Sequence, residues 1–445
     1  MMLAKNIFKA YDIRGIYEEE LSINAIKLIA KSLSHLFPEN NDTIIVGRDG
    51  RNSSSKISET LIESFLENGK NIINVGEVPT PLVYFARNYL NLNSCIMVTG
   101  SHNPKNYNGL KIFMDGHTLS GGEIKEIYDF ILRDSYSKLQ FAKTTYKEIN
   151  LKNEYISQII KNISIINKKK IAVDAGNGVA GPIAIETYKK LGFDVVDLYC
   201  DIDGDFPNHH PNPSDPKNLE DLADTVKNEN CDLGIAFDGD GDRVVMVDHR
   251  GNVVDGDEIL YLIARDRRRQ SIDIGGVVGT QMSNLGLELA LDALDVPFVR
   301  SKVGDRFVMK DMLARDWKLG GESSGHIICL DIANTGDGII SSLQALAALV
   351  NSDQSLSDAR AKMRKFPQCM INVRAESSAD IIENSSVKSA ISEIETKLGK
   401  NGRVLLRQSG TEPVIRVMVE GEDGDTVDRM ARELSEIVTS QGAAG

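Results

Sequence analysis

Thr43-Ile44-Ile45-Val46-Gly47, a helical pattern over residues 53–68, Ile72-Ile73-Asn74-Val75, a second helical pattern over residues 81–89 and Cys95-Ile96-Met97-Val98 follow one another without interruption. In the first helical stretch Ile57, Leu61, Ile62 and Phe65 recur at helical spacing, and Pro81 stands where a helix begins. Short apolar runs alternating with amphipathic helices predict βαβ units and a mostly parallel sheet. The rhythm returns in Lys170-Ile171-Ala172-Val173, Asp194-Val195-Val196-Asp197-Leu198, a helix near residues 219–227 and Leu233-Gly234-Ile235-Ala236. It returns again in Gly276-Val277-Val278, a helix over 285–293, Pro297-Phe298-Val299 and a helix over 306–315. The units share no repeat by residue identity. From about Phe366 the order becomes strand, helix (386–398), strand (402–406), strand (414–419), helix (426–439), with the polar run 376–384 read as a loop. The expectation is an α/β protein of three similar units with an α+β tail.

The chain of 445 residues carries 26% charged and 41% hydrophobic residues, which suits a globular enzyme of about three domains at ~150 residues each. A net charge of −13 argues against nonspecific nucleic-acid binding. It leaves room for small anionic substrates, which need only a local arginine cluster. No apolar run approaches the ~20 residues of a membrane span, and the start has no signal-peptide core. The five cysteines, Cys95, Cys200, Cys231, Cys329 and Cys369, lie far apart and read as free thiols of a cytoplasmic protein.

Five motifs carry chemistry. Thr99-Gly100-Ser101-His102-Asn103-Pro104 follows a strand directly, which is where parallel α/β sheets place ligand sites. It is not G-x-S-x-G, which disfavours an α/β-hydrolase. In Asp238-Gly239-Asp240-Gly241-Asp242-Arg243, glycines let three carboxylates converge on one centre, and hard oxygen ligands suit Mg²⁺. An EF-hand is disfavoured because the following Val244-Val245-Met246-Val247 reads as strand. Arg407-Gln408-Ser409-Gly410-Thr411-Glu412-Pro413, with Arg416, reads as an anion nest clamped by two arginines. Gly321-Glu322-Ser323-Ser324-Gly325-His326 offers a carboxylate, hydroxyls and an imidazole to a polyol. Tyr11-Asp12-Ile13-Arg14-Gly15 and Gly47-Arg48-Asp49-Gly50-Arg51 add basic groups near a phosphate.

In this order the motifs resemble the α-D-phosphohexomutase superfamily over nearly the whole chain. The resemblance implies four domains around a central cleft, here 1–148, 149–250, 251–364 and 365–445. It implies that Ser101 carries the transferable phosphate and that Asp238, Asp240 and Asp242, with a phosphoserine oxygen, hold one Mg²⁺. His102 and Lys111 become the candidate acid–base groups, and Arg243 helps fix the phosphoryl group. Glu322, Ser324 and His326 become the sugar-hydroxyl loop. Arg407, Ser409, Gly410, Thr411 and Arg416 become the clamp on the nonreacting phosphate, with Tyr11 and Arg14 also on the substrate. The implied reaction interconverts hexose 6-phosphate and hexose 1-phosphate through a hexose 1,6-bisphosphate. A noncatalytic sugar-phosphate sensor on the same fold predicts a missing nucleophile or a broken metal loop; both motifs are whole.

The two parts of the chain resemble different branches. Phe8-Lys9-Ala10-Tyr11-Asp12-Ile13-Arg14-Gly15, the Ser101 motif and Phe206-Pro207-Asn208-His209-His210-Pro211 resemble the bacterial phosphomannomutase/phosphoglucomutase branch. Val254-Asp255-Gly256-Asp257, Gly279-Thr280-Gln281-Met282-Ser283-Asn284, Lys302-Val303-Gly304-Asp305-Arg306, Asn334-Thr335-Gly336-Asp337-Gly338 and residues 404–421 resemble the phosphoglucosamine branch. Composition shifts at the same place. Residues 1–243 hold 24 Asn, 21 Lys and 6 Arg, whereas residues 244–445 hold 7 Asn, 8 Lys and 16 Arg. The shift reads as a chain joined at the Asp238–Arg243 motif. The sugar-reading loop lies in the second part, so glucosamine phosphate is the expected substrate and mannose or glucose phosphate the alternative.

Overall fold

The computed structural model describes residues 3–36, 43–114, 116–133, 143–163, 165, 169–374, 378–408 and 414–442. The first sheet holds β1 (Ile13–Ile16), β2 (Thr43–Arg48), β3 (Asn71–Glu77), β4 (Cys95–Val98), β5 (Tyr107–Met114), β6 (His117–Thr118) and β7 (Tyr146–Glu148). Its order is β1-β5-β4-β2-β3-β7, with β6 paired to β5. Strands β4, β2, β3 and β7 are parallel, as the rhythm predicts, while β5 and β1 extend the sheet antiparallel. The second sheet runs β12 (Val253–Val254), β11 (Val244–Asp248), β10 (Leu233–Phe237), β8 (Lys170–Asp174), β9 (Asp194–Leu198). The third runs β14 (Phe298–Ser301), β13 (Val277–Thr280), β15 (Leu319–Gly321), β16 (Ile327–Cys329). In the fourth, β19 (Val414–Glu420) lies antiparallel between β17 (Gln368–Arg374) and β18 (Arg403–Gln408). Helices Ser385–Leu398 and Gly424–Gly442 pack on that sheet.

Strand alternation divides the core. In β2, Ile44 and Val46 face the helices Ile23–Leu36 and Asn52–Glu67, while Ile45 faces the opposite layer. That opposite layer is continuous. Ile45 and Met97 of the first sheet, Ile171 and Phe237 of the second and Ile263 and Leu343 beside the third belong to one buried cluster. The fourth sheet has a core of its own around Ile415, Val417 and Leu434.

One expectation is corrected. Within the polar run 376–384, Ser378–Glu383 is a helix rather than a loop. Ile381 is buried and Ile382 packs against the fourth core, so burial of these two apolar side chains outweighs the polar composition.

The turn positions matter most for function. In each of the first three sheets, one parallel strand hands over to an antiparallel neighbour: β4 to β5, β10 to β11, and β15 to β16. The Ser101, Asp238–Asp242 and Glu322–His326 motifs occupy those three turns. The Ser409–Thr411 motif connects β18 to β19 and lies outside the described residues.

Candidate active site

Ser101 is buried and has φ +49°, in the left-handed region that a non-glycine residue occupies only when its surroundings hold it there. Asp49, at the end of β2, supplies the hold. Its Oδ2 accepts the Thr99 hydroxyl at 2.7 Å and the Gly100 N–H at 3.1 Å, and Thr99 Oγ1 accepts the Ser101 N–H at 2.7 Å. Arg51 completes the brace. Its Nη2 donates to the Ser101 and Asn103 carbonyls, both at 2.7 Å, and its Nη1 to those of Pro104 (2.6 Å) and Tyr107 (3.1 Å). Its Nε pairs with Asp49 at 3.1 Å. All five guanidinium N–H groups are thereby used inside the protein.

This corrects the reading of Gly47-Arg48-Asp49-Gly50-Arg51 as a supply of basic groups to phosphate. Arg51 is a buried internal brace, and Arg48 pairs with Glu77 at 2.5 Å. Sequence reasoning weighed the arginines and missed Asp49, although an aspartate at the carboxyl end of a parallel strand was visible.

The Ser101 hydroxyl lies 3.1 Å from Asp238 Oδ2, to which it donates, and 3.2 Å from His102 Nδ1. Arg243, burial and Arg14, in that order, hold the His102 imidazole well below its usual pKa. The ring is therefore uncharged near pH 7.

Asp238, Asp240 and Asp242 are buried and offer oxygens within 4.8 Å of one another, the group among the described residues that could hold a metal. Gly241, at φ +74°, makes the turn that aims them together. Lys111 Nζ donates to Asp240 Oδ2 at 2.6 Å and to Asp242 Oδ2 at 2.5 Å, and Thr80 Oγ1 also donates to Asp240 Oδ2 at 2.6 Å. Oδ1 of Asp240 and Oδ1 of Asp242 remain buried without a hydrogen-bond partner. Burial first, and then Asp240 and Asp242, push the Asp238 carboxyl well above the usual range. Orphaned carboxylate oxygens in a dry, mutually repelling set are what a small divalent cation satisfies.

The sugar motif meets this centre through the backbone. Arg243 and His326 form an antiparallel bridge, and His326 Nδ1 lies 3.6 Å from Asp242 Oδ1. Against the pull of burial, Asp242 and then Asp305 and Glu322 raise His326 to about 9. Gly336 lies against the His326 ring, where a Cβ would approach Nε2 to 2.3 Å. Glu322 Oε1 accepts the Gly304 N–H at 2.9 Å, which ties the sugar loop to the 302–306 segment. Burial raises the Glu322 carboxyl, with His326 opposing. Ser324 is half-buried, and its carbonyl accepts the Ser214 hydroxyl at 3.2 Å.

Tyr11 leans on the same segment. Its hydroxyl points to the Val303 carbonyl at 3.4 Å, and the Arg306 guanidinium stacks over its ring at 4.6 Å. Arg14 Nη1 donates to Asn103 Oδ1 at 2.9 Å and Nη2 pairs with Asp12 at 2.5 Å. Arg407 and Arg416 face each other across the β18–β19 pair. Burial and then Arg416 lower the Arg407 pKa, while Tyr11 and Glu322 oppose the shift. The fourth domain thus presents positive charge toward the sugar loop. The Nε atoms of Arg14, Arg243 and Arg407 are buried without a hydrogen-bond partner. The structure therefore brings the serine, the carboxylates, the sugar loop and two sets of arginines together; Ser409, Gly410 and Thr411 lie outside the described residues.

Comparison with known proteins agrees with this assembly. The phosphoglucomutase/phosphomannomutase family models match in order: alpha/beta/alpha domain I over residues 5–138, domain II over 153–251, domain III over 255–366 and the C-terminal domain over 370–437. A phosphoglucosamine mutase of Alcanivorax borkumensis is 42% identical over 414 residues, covering 89% of each chain. One of Escherichia coli O157:H7 is 41% identical over 401 residues, again covering 89% of each. Alignments of that extent take in sequence on both sides of Arg243. Among solved structures, a phosphoglucomutase/phosphomannomutase family protein from Burkholderia thailandensis superposes with a TM-score of 0.89 at 28% identity, covering 99% of this chain and 98% of that one. An N-acetylphosphoglucosamine mutase of Aspergillus fumigatus, solved with GlcNAc-6P and magnesium, shares the fold at a TM-score of 0.61 and 19% identity, covering 78% of this chain and 89% of that one. With four matching domain models in sequence order and relatives above 40% identity over 89% of the chain, the chain belongs to the phosphoglucomutase/phosphomannomutase family of α-D-phosphohexomutases.

Proposed function

We propose that the chain is an isomerase that interconverts glucosamine 6-phosphate and glucosamine 1-phosphate through a phosphoserine at Ser101 and a bound glucosamine 1,6-bisphosphate. The observation that carries the reaction type is the Ser101 hydroxyl 3.1 Å from Asp238, at the edge of a buried carboxylate triad with two oxygens that no hydrogen bond satisfies. Asp238, Asp240 and Asp242, completed by a phosphoserine oxygen, would hold one Mg²⁺. When bound, that ion supplies charge neutralisation to the transferring phosphoryl group.

The chain's own residues do the rest. Arg51 and Asp49 fix the serine loop, so the phosphoryl donor is presented in one orientation. The sugar's C1 hydroxyl attacks the phosphorus as the bond to Ser101 Oγ breaks. The proton lost by the sugar hydroxyl is balanced by the proton that the departing Ser101 Oγ takes up, with His102, beside that oxygen, as one acid–base candidate for this exchange, and Arg243 stabilises the equatorial phosphoryl oxygens. After the bisphosphate turns over in the cleft, Ser101 Oγ gives up its proton and attacks the 6-phosphate as the bond from phosphorus to the sugar O6 breaks and O6 is protonated, which returns the phosphoryl group to the serine. Lys111, held between Asp240 and Asp242, is the second acid–base candidate. Glu322, Ser324 and His326 read the sugar hydroxyls. Arg407 and Arg416, with Tyr11 and Arg14, hold whichever phosphate is not reacting.

The preference for glucosamine is supported by the relatives at 40–42% identity, which are phosphoglucosamine mutases. A cytoplasmic location is supported by five free cysteines; among the described residues, no helix is long and apolar enough to cross a membrane. Measuring kcat/KM on glucosamine 6-phosphate against mannose and glucose 1-phosphates tests the substrate, with glucosamine 6-phosphate expected to be preferred. A clear preference for either of the others overturns it. Intact mass and peptide mapping are expected to find phosphate on Ser101, and Ser101→Ala is expected to abolish turnover. Phosphate found only elsewhere, or full activity of that variant, refutes the serine role.

A further inference from the structure

The segment 203–211, which contains Phe206-Pro207-Asn208-His209-His210-Pro211, touches no substrate group in the reading above, yet it contacts the serine loop's brace and the metal loop at once. Phe206 is buried and has φ +47°, a genuine outlier for a bulky side chain and one that only a well-determined surrounding maintains. Its ring lies under the Arg51 guanidinium at 5.1 Å, on the same group that holds the carbonyls of Ser101, Asn103, Pro104 and Tyr107. Two residues earlier, Gly204 meets the first domain so closely that a Cβ would lie 2.5 Å from the Asn52 nitrogen and 2.6 Å from the Gly50 oxygen. Lys105, in the serine loop, pairs with Asp205 at 3.1 Å.

At its other end the segment holds the metal loop. The Pro211 carbonyl accepts the Gly239 N–H at 3.2 Å. Gly239 is itself pressed between the Pro211 ring and the Ser101 carbonyl, where a Cβ would stand 3.2 and 2.6 Å away. His209 anchors the middle of the segment at the end of β8. Its Nε2 lies 3.0 and 3.2 Å from the two Asp174 oxygens, and its Nδ1 lies 2.9 Å from the His210 carbonyl. Asn208 Nδ2 donates to Asn177 Oδ1 at 2.8 Å.

We propose that segment 203–211 is a strap that fixes the serine loop relative to the metal loop, with Phe206 as its principal positioning residue. One end bears on Arg51, the other on Gly239, and the distance it governs is that between the Ser101 oxygen and the carboxylate triad. Phosphoryl transfer depends on in-line placement, so the strap acts on the chemical step and leaves substrate affinity alone.

This inference rests on the proposed phosphoserine reaction, and the experiment separates the two. Phe206→Leu removes the aromatic face while keeping apolar bulk, and Phe206→Tyr restores the face. In the leucine variant kcat is expected to fall about tenfold with KM unchanged. Hydrogen exchange of the full chain is expected to quicken severalfold in residues 99–107 and 238–243 and to stay unchanged in β4 and β10. The tyrosine variant recovers both properties. A rise in KM with kcat preserved, exchange unchanged in the two loops, exchange raised equally in β4 and β10, or failure of tyrosine to restore each overturns the strap. If the wild-type chain turns over no hexose phosphate, the reaction reading fails while the exchange data still decide the strap.

Discussion

At the scale of single residues, the site depends on groups that never meet substrate. Gly100 is the sharpest case: a Cβ there would stand 2.5 Å from both Cζ and Nε of Arg51 and 2.8 Å from the Tyr107 carbonyl. Arg51 has no room to yield, because every N–H it owns is committed. Gly100→Ala should therefore displace the serine loop and lower kcat by about 10²-fold, the scale of a 1 Å misplacement. Steady-state kinetics check this, and a variant with unchanged kcat would show that the brace is looser than its hydrogen bonds imply. Asp49→Ala leaves the Arg51 charge buried without its partner, so unfolding in urea should show a loss of about 3–5 kcal/mol. Ser101, the three aspartates and the sugar-loop residues were legible in the sequence because glycine-spaced polar residues after a strand have few other uses. Arg51 was not. An arginine in a loop reads as solvated or anion-binding, and only the four carbonyls turned toward it disclose that it is internal.

Elements show why the motifs meet. Three mixed sheets each pass from a parallel strand to an antiparallel one, and the chemistry lies in those turns. The parallel strands were legible from apolar runs set between helical patterns. The last pair of the third sheet was less so: β15 and its antiparallel partner β16 have three residues each, too short to show a period. The helix Gly256–Arg269 did leave a signal, since Asp255 and Glu258 form a capping box at its start. Helix Gly338–Ser352 supplies a pH test. Asp337 caps it by accepting the Ile340 N–H at 3.0 Å and also accepts the Tyr155 hydroxyl at 2.5 Å. Burial, which outweighs these hydrogen bonds, raises the Asp337 carboxyl from 3.8 to about 6. Between those values the folded chain keeps a proton that the unfolded chain has released. Stability therefore falls as pH rises through that window, by on the order of 3 kcal/mol once above it. Asp337→Asn keeps the cap acceptor and removes the titration. Relative to wild type, the variant should gain stability in urea between pH 4 and pH 7, and a difference independent of pH would refute the assignment.

For the whole molecule, the compositional shift at Arg243 does not coincide with a break in packing. Tyr155 and Tyr188, before the shift, bond to Asp337 (2.5 Å) and Ser342 (2.6 Å), after it. The Gly338 N–H, after it, donates to the Gly241 carbonyl, before it, at 3.1 Å. The first three sheets share one buried cluster, so whatever the history of the two parts, they fold as one body. The fourth sheet has its own core and joins the third through a narrow set of bonds. Glu420 Oε1 accepts the Leu285 N–H at 2.9 Å and Oε2 pairs with Arg403 at 2.5 Å, while Arg403 donates to the carbonyls of Gln281 (2.9 Å) and Ser283 (2.7 Å). Asn284 adds a reciprocal pair with the Phe366 backbone, both bonds at 3.0 Å. Calorimetry should therefore resolve a single transition for the first three domains and a separate, lower one for the fourth. Arg403→Ala removes two carbonyl contacts and leaves Glu420 buried, so it should lower the fourth-domain transition alone. Because that domain carries Arg407 and Arg416, KM for the sugar phosphate should rise several-fold while the main transition stays in place. If Arg403→Ala instead shifts the main transition, the fourth domain is part of the common body and the Arg407–Arg416 pair is not independently mounted.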